Sequence, residues 1–195
     1  MTIGIGVEGP SDYQFWNKVF HKHFRGCRFD VRNMKNRDKL IRETPKLLET
    51  FRDCRYTAGF VLVDLDDDPC LGSVFELFDA AVRSVVLLPD KGARFLQVCI
   101  AVKELESWYL ADAAAINAVI PGCAWSAPSD TGRVAKGKVR SLLRNRLGKQ
   151  ASFNEIDFAK SMATKFDPGR ARPHSASFRH FWDRVESRVR RRGDP

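Results

Sequence analysis

Two acidic stretches in this chain each follow directly on an apolar segment: Val7-Glu8-Gly9-Pro10-Ser11-Asp12 and Val63-Asp64-Leu65-Asp66-Asp67-Asp68. Carboxylates brought together repel one another, more strongly as water is excluded, unless a cation sits among them. Asp64 and Asp66 are two residues apart, so in extended backbone both side chains point to the same side. If the segments ending at Val7 and Val63 are neighbouring strands, Glu8 faces that pair across a strand spacing of about 5 Å. Oxygen-only ligands with no His or Cys nearby favour Mg²⁺ or Mn²⁺ over zinc. Plainer uses stay open. Ser11 or Asp12 can cap a helix beginning near Tyr13, and Asp64 to Asp68 can form a solvated turn.

The segments that must carry these acids read as alternating strands and helices. Thr2–Val7 is a short buried strand, and Tyr13 to Phe24 repeats apolar residues at helical spacing. Cys27–Val31 alternates as a second strand, and Asp38–Phe51 is helical with Pro45 as an irregularity. Ala58–Val63 is apolar on both faces, as a central parallel strand should be. Val74–Val86 reads as helix and Arg94–Val102 as a fourth strand. This order predicts an α/β protein with a mostly parallel four-stranded sheet flanked by helices. In such a sheet ligands bind beyond the carboxyl ends of the strands, where both acidic stretches fall. Residues 103–119, 133–147, 155–166 and 175–191 read as helices, separated by Pro/Gly/Ser-containing stretches at 121–132 and 167–173. The expected division is an α/β domain over 1–120 and a basic helical extension over 121–195 that packs on it.

Net charge is +9, and it is unevenly spread: residues 133–192 hold seventeen Lys/Arg against five Asp/Glu. An acidic front and a basic back suit a metal-using site joined to a polyanion-binding surface. Arg133, Lys136, Lys138, Arg140, Arg144 and Arg146 have the spacing to line helix faces with cations, a phosphate track. The same residues would also suit a simply solvated helix. Five widely spaced cysteines with no C-x-x-C pair indicate neither a disulfide framework nor a zinc knuckle. No apolar run approaches the roughly 18–20 residues that span a bilayer, and a secretory leader is not evident. A reducing cytoplasm is the expected location. The four histidines have no ligand spacing to the acids and read as surface or capping residues.

A glutamate after the first strand with an Asp-x-Asp after a later one resembles the TOPRIM domain of topoisomerases, bacterial primases and OLD-family (overcoming lysogenization defect) nucleases. Glu8 with Asp12 four residues on looks most like the OLD-type variant. The run Glu104-Leu105-Glu106-Ser107-Trp108-Tyr109-Leu110-Ala111-Asp112 is similar to the E-L-E-x-W-x-x-A-D pattern of domain of unknown function family 4276. So is the tail from Phe158-Ala159 through Ser177-Phe178-Arg179 to Phe181, so the resemblance covers nearly the whole chain. It implies a TOPRIM-like (Rossmann-like) fold and divalent-metal phosphodiester chemistry, in defence against phage and mobile elements. By motif match Glu8, Asp64 and Asp66 would be catalytic and, with Asp12, metal ligands. Glu106 follows the last strand and is a further candidate ligand, although first-turn helix charge explains Glu104 and Glu106 equally simply. Trp108, Tyr109 and Leu110 read as core, and Asp68 as a support behind the ligands. OLD-type sites also use a lysine, for which Lys103, Lys136, Lys138, Lys149, Lys160 and Lys165 all remain open.

The leading expectation is a Mg²⁺-dependent endonuclease acting on DNA or RNA. Because no G-x-x-x-x-G-K-[ST] loop appears, the resemblance places ATPase function on a separate partner. The alternative is a non-catalytic, metal-binding nucleic-acid or sensor module. A primase-like role is weaker, since no zinc-binding segment accompanies the acids.

Overall fold

The computed structural model describes residues 1–66, 68, 70–82, 96–134, 137–147 and 154–190. The chain runs β1 (Thr2–Val7), α1 (Pro10–His23), β2 (Arg28–Asn33), α2 (Arg37–Asp53), β3 (Ala58–Asp64), α3 (Leu71–Val82) and β4 (Leu96–Ala101). It continues as α4 (Glu106–Leu110), α5 (Ala113–Val119), α6 (Lys138–Leu147), α7 (Glu155–Lys165), α8 (Pro168–Ala171) and α9 (Ala176–Arg190), with short 3₁₀ turns at Thr131–Arg133 and Arg172–His174. The four strands are all parallel, in the order β2-β1-β3-β4. The expected α/β fold class is what forms. Among the described residues no helix is long and apolar enough to cross a membrane, and all five cysteines are free.

Strand alternation divides the core in two. Ile3, Ile5 and Val7 of β1, with Phe60 and Leu62 of β3, join one cluster beneath α1 and the C-terminal helices, including Trp16, Trp108, Phe158, Phe178 and Trp182. Val61 and Val63 face the other way, into a smaller cluster with Leu40, Leu47 and Phe51 of α2 and Val74 and Phe78 of α3. On that face the buried positions of β1, after Thr2 at its start, are both glycine, because α2 lies directly against them. A Cβ on Gly4 would fall 2.5 Å from the Phe51 ring, and one on Gly6 would fall 2.7 Å from Leu47 Cδ2. Successive crossovers thus leave the sheet on opposite faces, α1 on one and α2 on the other, as right-handed parallel units require.

Several boundaries differ from those read in the sequence, each for a local reason. Helix α1 begins at Pro10 rather than Tyr13, with Gly9 as its N-cap and Pro at the first helical position, where a missing N–H costs nothing. Segment 103–119 is two short helices, broken where Asp112 leaves helical backbone to cap α5 through the Ala115 N–H. Pro45 does lie inside α2, and the neighbouring buried Thr44 donates its hydroxyl to the Leu40 carbonyl at 2.6 Å. Arg94, Phe95, Val86, Lys136, Lys149 and Asp67 lie outside the described residues.

Candidate functional site

With strand order β2-β1-β3-β4, the chain steps from β1 first to one side and then to the other. The cleft at the carboxyl end between β1 and β3 is therefore the switch point where such sheets bind ligands. Glu8 follows β1 and Asp64 ends β3. They meet there: Glu8 Oε1 accepts the Asp64 backbone N–H at 2.8 Å. Asp12, in the first turn of α1, accepts the Gly9 N–H through Oδ2 at 3.0 Å. It reaches back from the N3 position to the N-cap N–H, the one half of a capping box that a glycine N-cap allows. Glu106 stands at the start of α4, just beyond β4.

The electrostatics tie these acids into one group. Burial first, then the charges of Asp12, Glu8, Glu106 and Asp66, hold the Asp64 carboxyl well above the usual carboxylate range. Burial likewise pushes Asp12 up to about 7, with Glu106, Glu8 and Glu155 adding to the rise and the Gly9 N–H opposing it. Glu106 is pushed up to about 7 by burial, then by Glu104, with Arg140 pulling the other way.

Asp66 is reached differently from the expectation. Strand β3 ends at Asp64, and Asp66 has φ 50°, so the same-side rule for extended backbone does not apply to the pair. Its N–H goes to the Lys103 carbonyl at 2.8 Å, and Lys103 is itself left-handed at φ 74°. Both residues occupy conformations uncommon for side-chain-bearing residues, Asp more tolerant of them than Lys. Asp68 pairs with Arg37 at the start of α2. The E-L-E-x-W-x-x-A-D run also separates by role. Glu104 Oε1 accepts the Gly137 N–H at 2.8 Å and so anchors the start of basic helix α6 beside the site. Trp108, Tyr109 and Leu110 are buried in the core. Asp112 is fully buried and structural: Arg170 donates to both its oxygens at 2.8 and 2.9 Å, and it also accepts the Ala115 and Asp167 N–H groups.

The basic residues are not a uniform row. Arg133 and Arg144 are exposed. Lys138 lies 5.6 Å from the Trp125 ring centroid, Arg140 is paired with Glu155, and Arg146 donates to the Pro121 carbonyl at 2.7 Å. Lys136 falls outside the described residues. Lys160 pairs with Asp157. His174 Nδ1 lies 2.8 Å from the Pro128 carbonyl oxygen, a structural contact.

One residue near the acids, Glu155, escaped the sequence reading, and Tyr109, read as core and buried there, carries a hydroxyl to which that reading gave no role. Glu155, first in α7, adds its charge to those raising Asp12 and Glu106. Tyr109 is 2% exposed, and its hydroxyl has no hydrogen-bond partner. The discoverable signal was an acid placed three residues before an aromatic, repeated in α1, α4 and α7.

As a donor set, carboxylates with a phenol and without His or Cys fit a hard divalent cation. The raised carboxyls and the unpartnered Tyr109 hydroxyl fit it too. As the side chains stand, no group of three or more His, Cys, Asp or Glu among the described residues encloses a cation position. Glu8 and Asp12 are instead turned to backbone donors.

Among solved structures, the C-terminal region of the Burkholderia pseudomallei OLD protein is similar, with a TM-score of 0.54 and 16% identity, over 96% of this chain and 98% of that one. The C-terminal region of the Xanthomonas campestris pv. campestris OLD protein gives a TM-score of 0.52 and 14% identity, over 96% and 95%. At such identities the likeness establishes the fold, an OLD-like, TOPRIM-like α/β domain. The chain belongs to the DUF4276 family (domain of unknown function), which it matches over residues 7–186. No curated protein matches it. The family read from the Glu104–Asp112 run and the tail is thereby borne out, and the TOPRIM-like fold expected from the resemblance agrees with the likeness to the OLD C-terminal regions.

Proposed function

We propose that this chain is a divalent-metal-dependent, nuclease-like TOPRIM protein that acts on phosphodiester bonds of DNA or RNA. The observation that carries the reading is the meeting of Glu8 and Asp64 at the β1–β3 switch point, Oε1 to N–H at 2.8 Å, inside a group of mutually destabilised carboxylates. Glu8, Asp64 and Asp66 would hold Mg²⁺ or Mn²⁺, with Asp12 and Glu106 as further ligands. Glu8 and Asp12 would turn from the backbone N–H groups they now accept. When bound, such cations activate water and stabilise the leaving oxygen of an in-line displacement. The protein's part is to gather the carboxylates in a poorly hydrated cleft, where charge neutralisation counts for more than in water. Without a cation, Asp12 and Glu106 retain protons near neutral pH, which moderates the repulsion.

Arg133 and Arg144 are the exposed cations best placed to meet a phosphate backbone. The resemblance to OLD proteins, here only to their C-terminal regions, supports a separate ATPase partner and a role in defence against mobile DNA. The test is cleavage of labelled DNA and RNA, single- and double-stranded, in Mg²⁺ and Mn²⁺, by wild type and Asp64→Asn. The account expects metal-dependent cutting that Asp64→Asn abolishes. Cutting that persists in Asp64→Asn, or metal-dependent binding with no cutting even when the partner is supplied, refutes it; the second result would favour a non-catalytic module.

A further inference from the structure

Three helices repeat one arrangement: Asp12 precedes Phe15 by three residues in α1, Glu106 precedes Tyr109 in α4, and Glu155 precedes Phe158 in α7. Residues three apart share a helix face, and the three aromatics meet. The Tyr109 ring centroid lies 4.6 Å from that of Phe15 and 6.1 Å from that of Phe158. Each acid stands one turn before its aromatic, and the charges of Glu106 and Glu155 felt by Asp12, and of Glu155 felt by Glu106, put the three near one another. The Tyr109 hydroxyl is buried and has no hydrogen-bond partner among the described residues. After burial itself, the charges of Glu106, Asp12, Asp64 and Glu155 are what hold its phenol well above the usual range. A buried hydroxyl with no acceptor is costly, and the acids whose charge reaches it are the nearest chemistry that could answer it.

Glu155 has a cationic partner, Arg140. Arg140 lies three residues beyond Gly137, whose N–H is fastened to Glu104 two residues before Glu106. The acid pocket and the basic helix are thus joined at two points, Glu104–Gly137 and Glu155–Arg140. Both Glu155 and Arg140 keep substantial exposure, with 43% and 59% of their side chains open to solvent, so their pairing is open to exchange with solutes.

We propose that Glu155 is a further carboxylate of the cation site, exchanged between the cation and Arg140, so that a cation taken up at the pocket turns Arg140 toward a phosphate. The inference rests on the metal-dependent reading above. It adds a ligand from α7 and makes cation and phosphate binding mutually reinforcing, as linkage requires when one pairing must open for both.

The test measures Mn²⁺ affinity from the paramagnetic resonance of free Mn²⁺, for wild type, Glu155→Gln, Arg140→Gln and Asp64→Asn. Expected are a loss of about tenfold or more for Glu155→Gln and tighter binding for Arg140→Gln. Binding to single- and double-stranded phosphorothioate oligonucleotides, followed by fluorescence anisotropy, should strengthen with Mn²⁺ in wild type and lose that gain in both variants. Unchanged Mn²⁺ affinity in Glu155→Gln, beside lost affinity in Asp64→Asn, overturns this inference and leaves the metal-dependent reading standing. Unchanged affinity in Asp64→Asn sinks that reading itself. Should Glu155→Gln fold poorly, Arg140→Gln decides alone, and neutral or weaker Mn²⁺ binding by it overturns the exchange. Oligonucleotide binding indifferent to Mn²⁺ in wild type overturns the role given to Arg140.

Discussion

Replacing Asp12 with Asn removes one negative charge from the pocket while keeping an oxygen for the Gly9 N–H. Folding carries the Asp12 carboxyl from 3.8 to about 7. Between those values the folded state binds more protons than the unfolded chain, so this group makes stability fall as pH rises through the window. At about 1.4 kcal/mol per unit, the full cost above pH 7 is on the order of 4 kcal/mol. Asn escapes that cost but accepts from Gly9 without charge, giving back about 1 kcal/mol. The net gain for the metal-free protein at pH 8 is then on the order of 3 kcal/mol, or roughly 6–12 °C in Tm for a chain of this size. At pH 4, barely above the ordinary value of 3.8, only about 0.5 kcal/mol of that cost has accrued, and the gain vanishes. Glu106 shifts in the same direction in both proteins. His23 and His180, both lowered by burial first, push the opposite way, so the comparison is variant against wild type at each pH. Scanning calorimetry from pH 4 to 8.5, with and without Mg²⁺, reads the outcome. Wild type should gain more from Mg²⁺ than the variant, about 2.7 kcal/mol at a hundredfold excess over Kd. Parallel pH profiles for the two proteins, with equal response to Mg²⁺, would refute the reasoning.

Two other substitutions probe the surroundings. Asp112→Ala leaves the Asp167 and Ala115 N–H groups without their acceptor and frees the half-exposed Arg170 guanidinium to water, and should cost about 2–4 kcal/mol in a denaturant titration; a loss well under that would mean the buried carboxylate is not structural. Arg144→Glu should weaken nucleic-acid binding across sequences and flatten its salt dependence by about one unit of slope, whereas an unaltered slope would remove α6 from the phosphate track.

What the sequence revealed, and what it hid, follows from how far each signal reaches along the chain. Strand β3 was legible because a central parallel strand is apolar on both faces, and Ala58 to Val63 are. The glycines of β1 carried no such message. Only the packing of Phe51 and Leu47 explains them, and that contact joins residues about forty apart. Glu8 and Asp64 were legible as a pair because each ends a recognisable strand. The orientation of Asp66 was not, since extended-strand parity fails once its backbone turns left-handed beside Lys103. Asp112 stood out in the sequence only as the end of the Glu104–Asp112 run, and its role, a buried carboxylate bound by Arg170 from fifty-eight residues away, is visible only in the packing. Glu155 was missed because, from its own segment alone, it is only a first-turn acid on an exposed helix. Its meaning comes from Phe158 meeting Tyr109. The C-terminal helices share a core with α1, and we propose that residues 121–195 do not fold apart from the sheet.

The claim beneath the proposed function is that the β1–β3 cleft takes a divalent cation. Anomalous diffraction from crystals soaked in Mn²⁺ tests it without reference to substrate or partner. The account predicts a manganese peak at the carboxyl ends of β1 and β3, with Glu8 and Asp64 among its oxygen ligands. Manganese bound elsewhere on the molecule, with no peak between those two side chains, would contradict it.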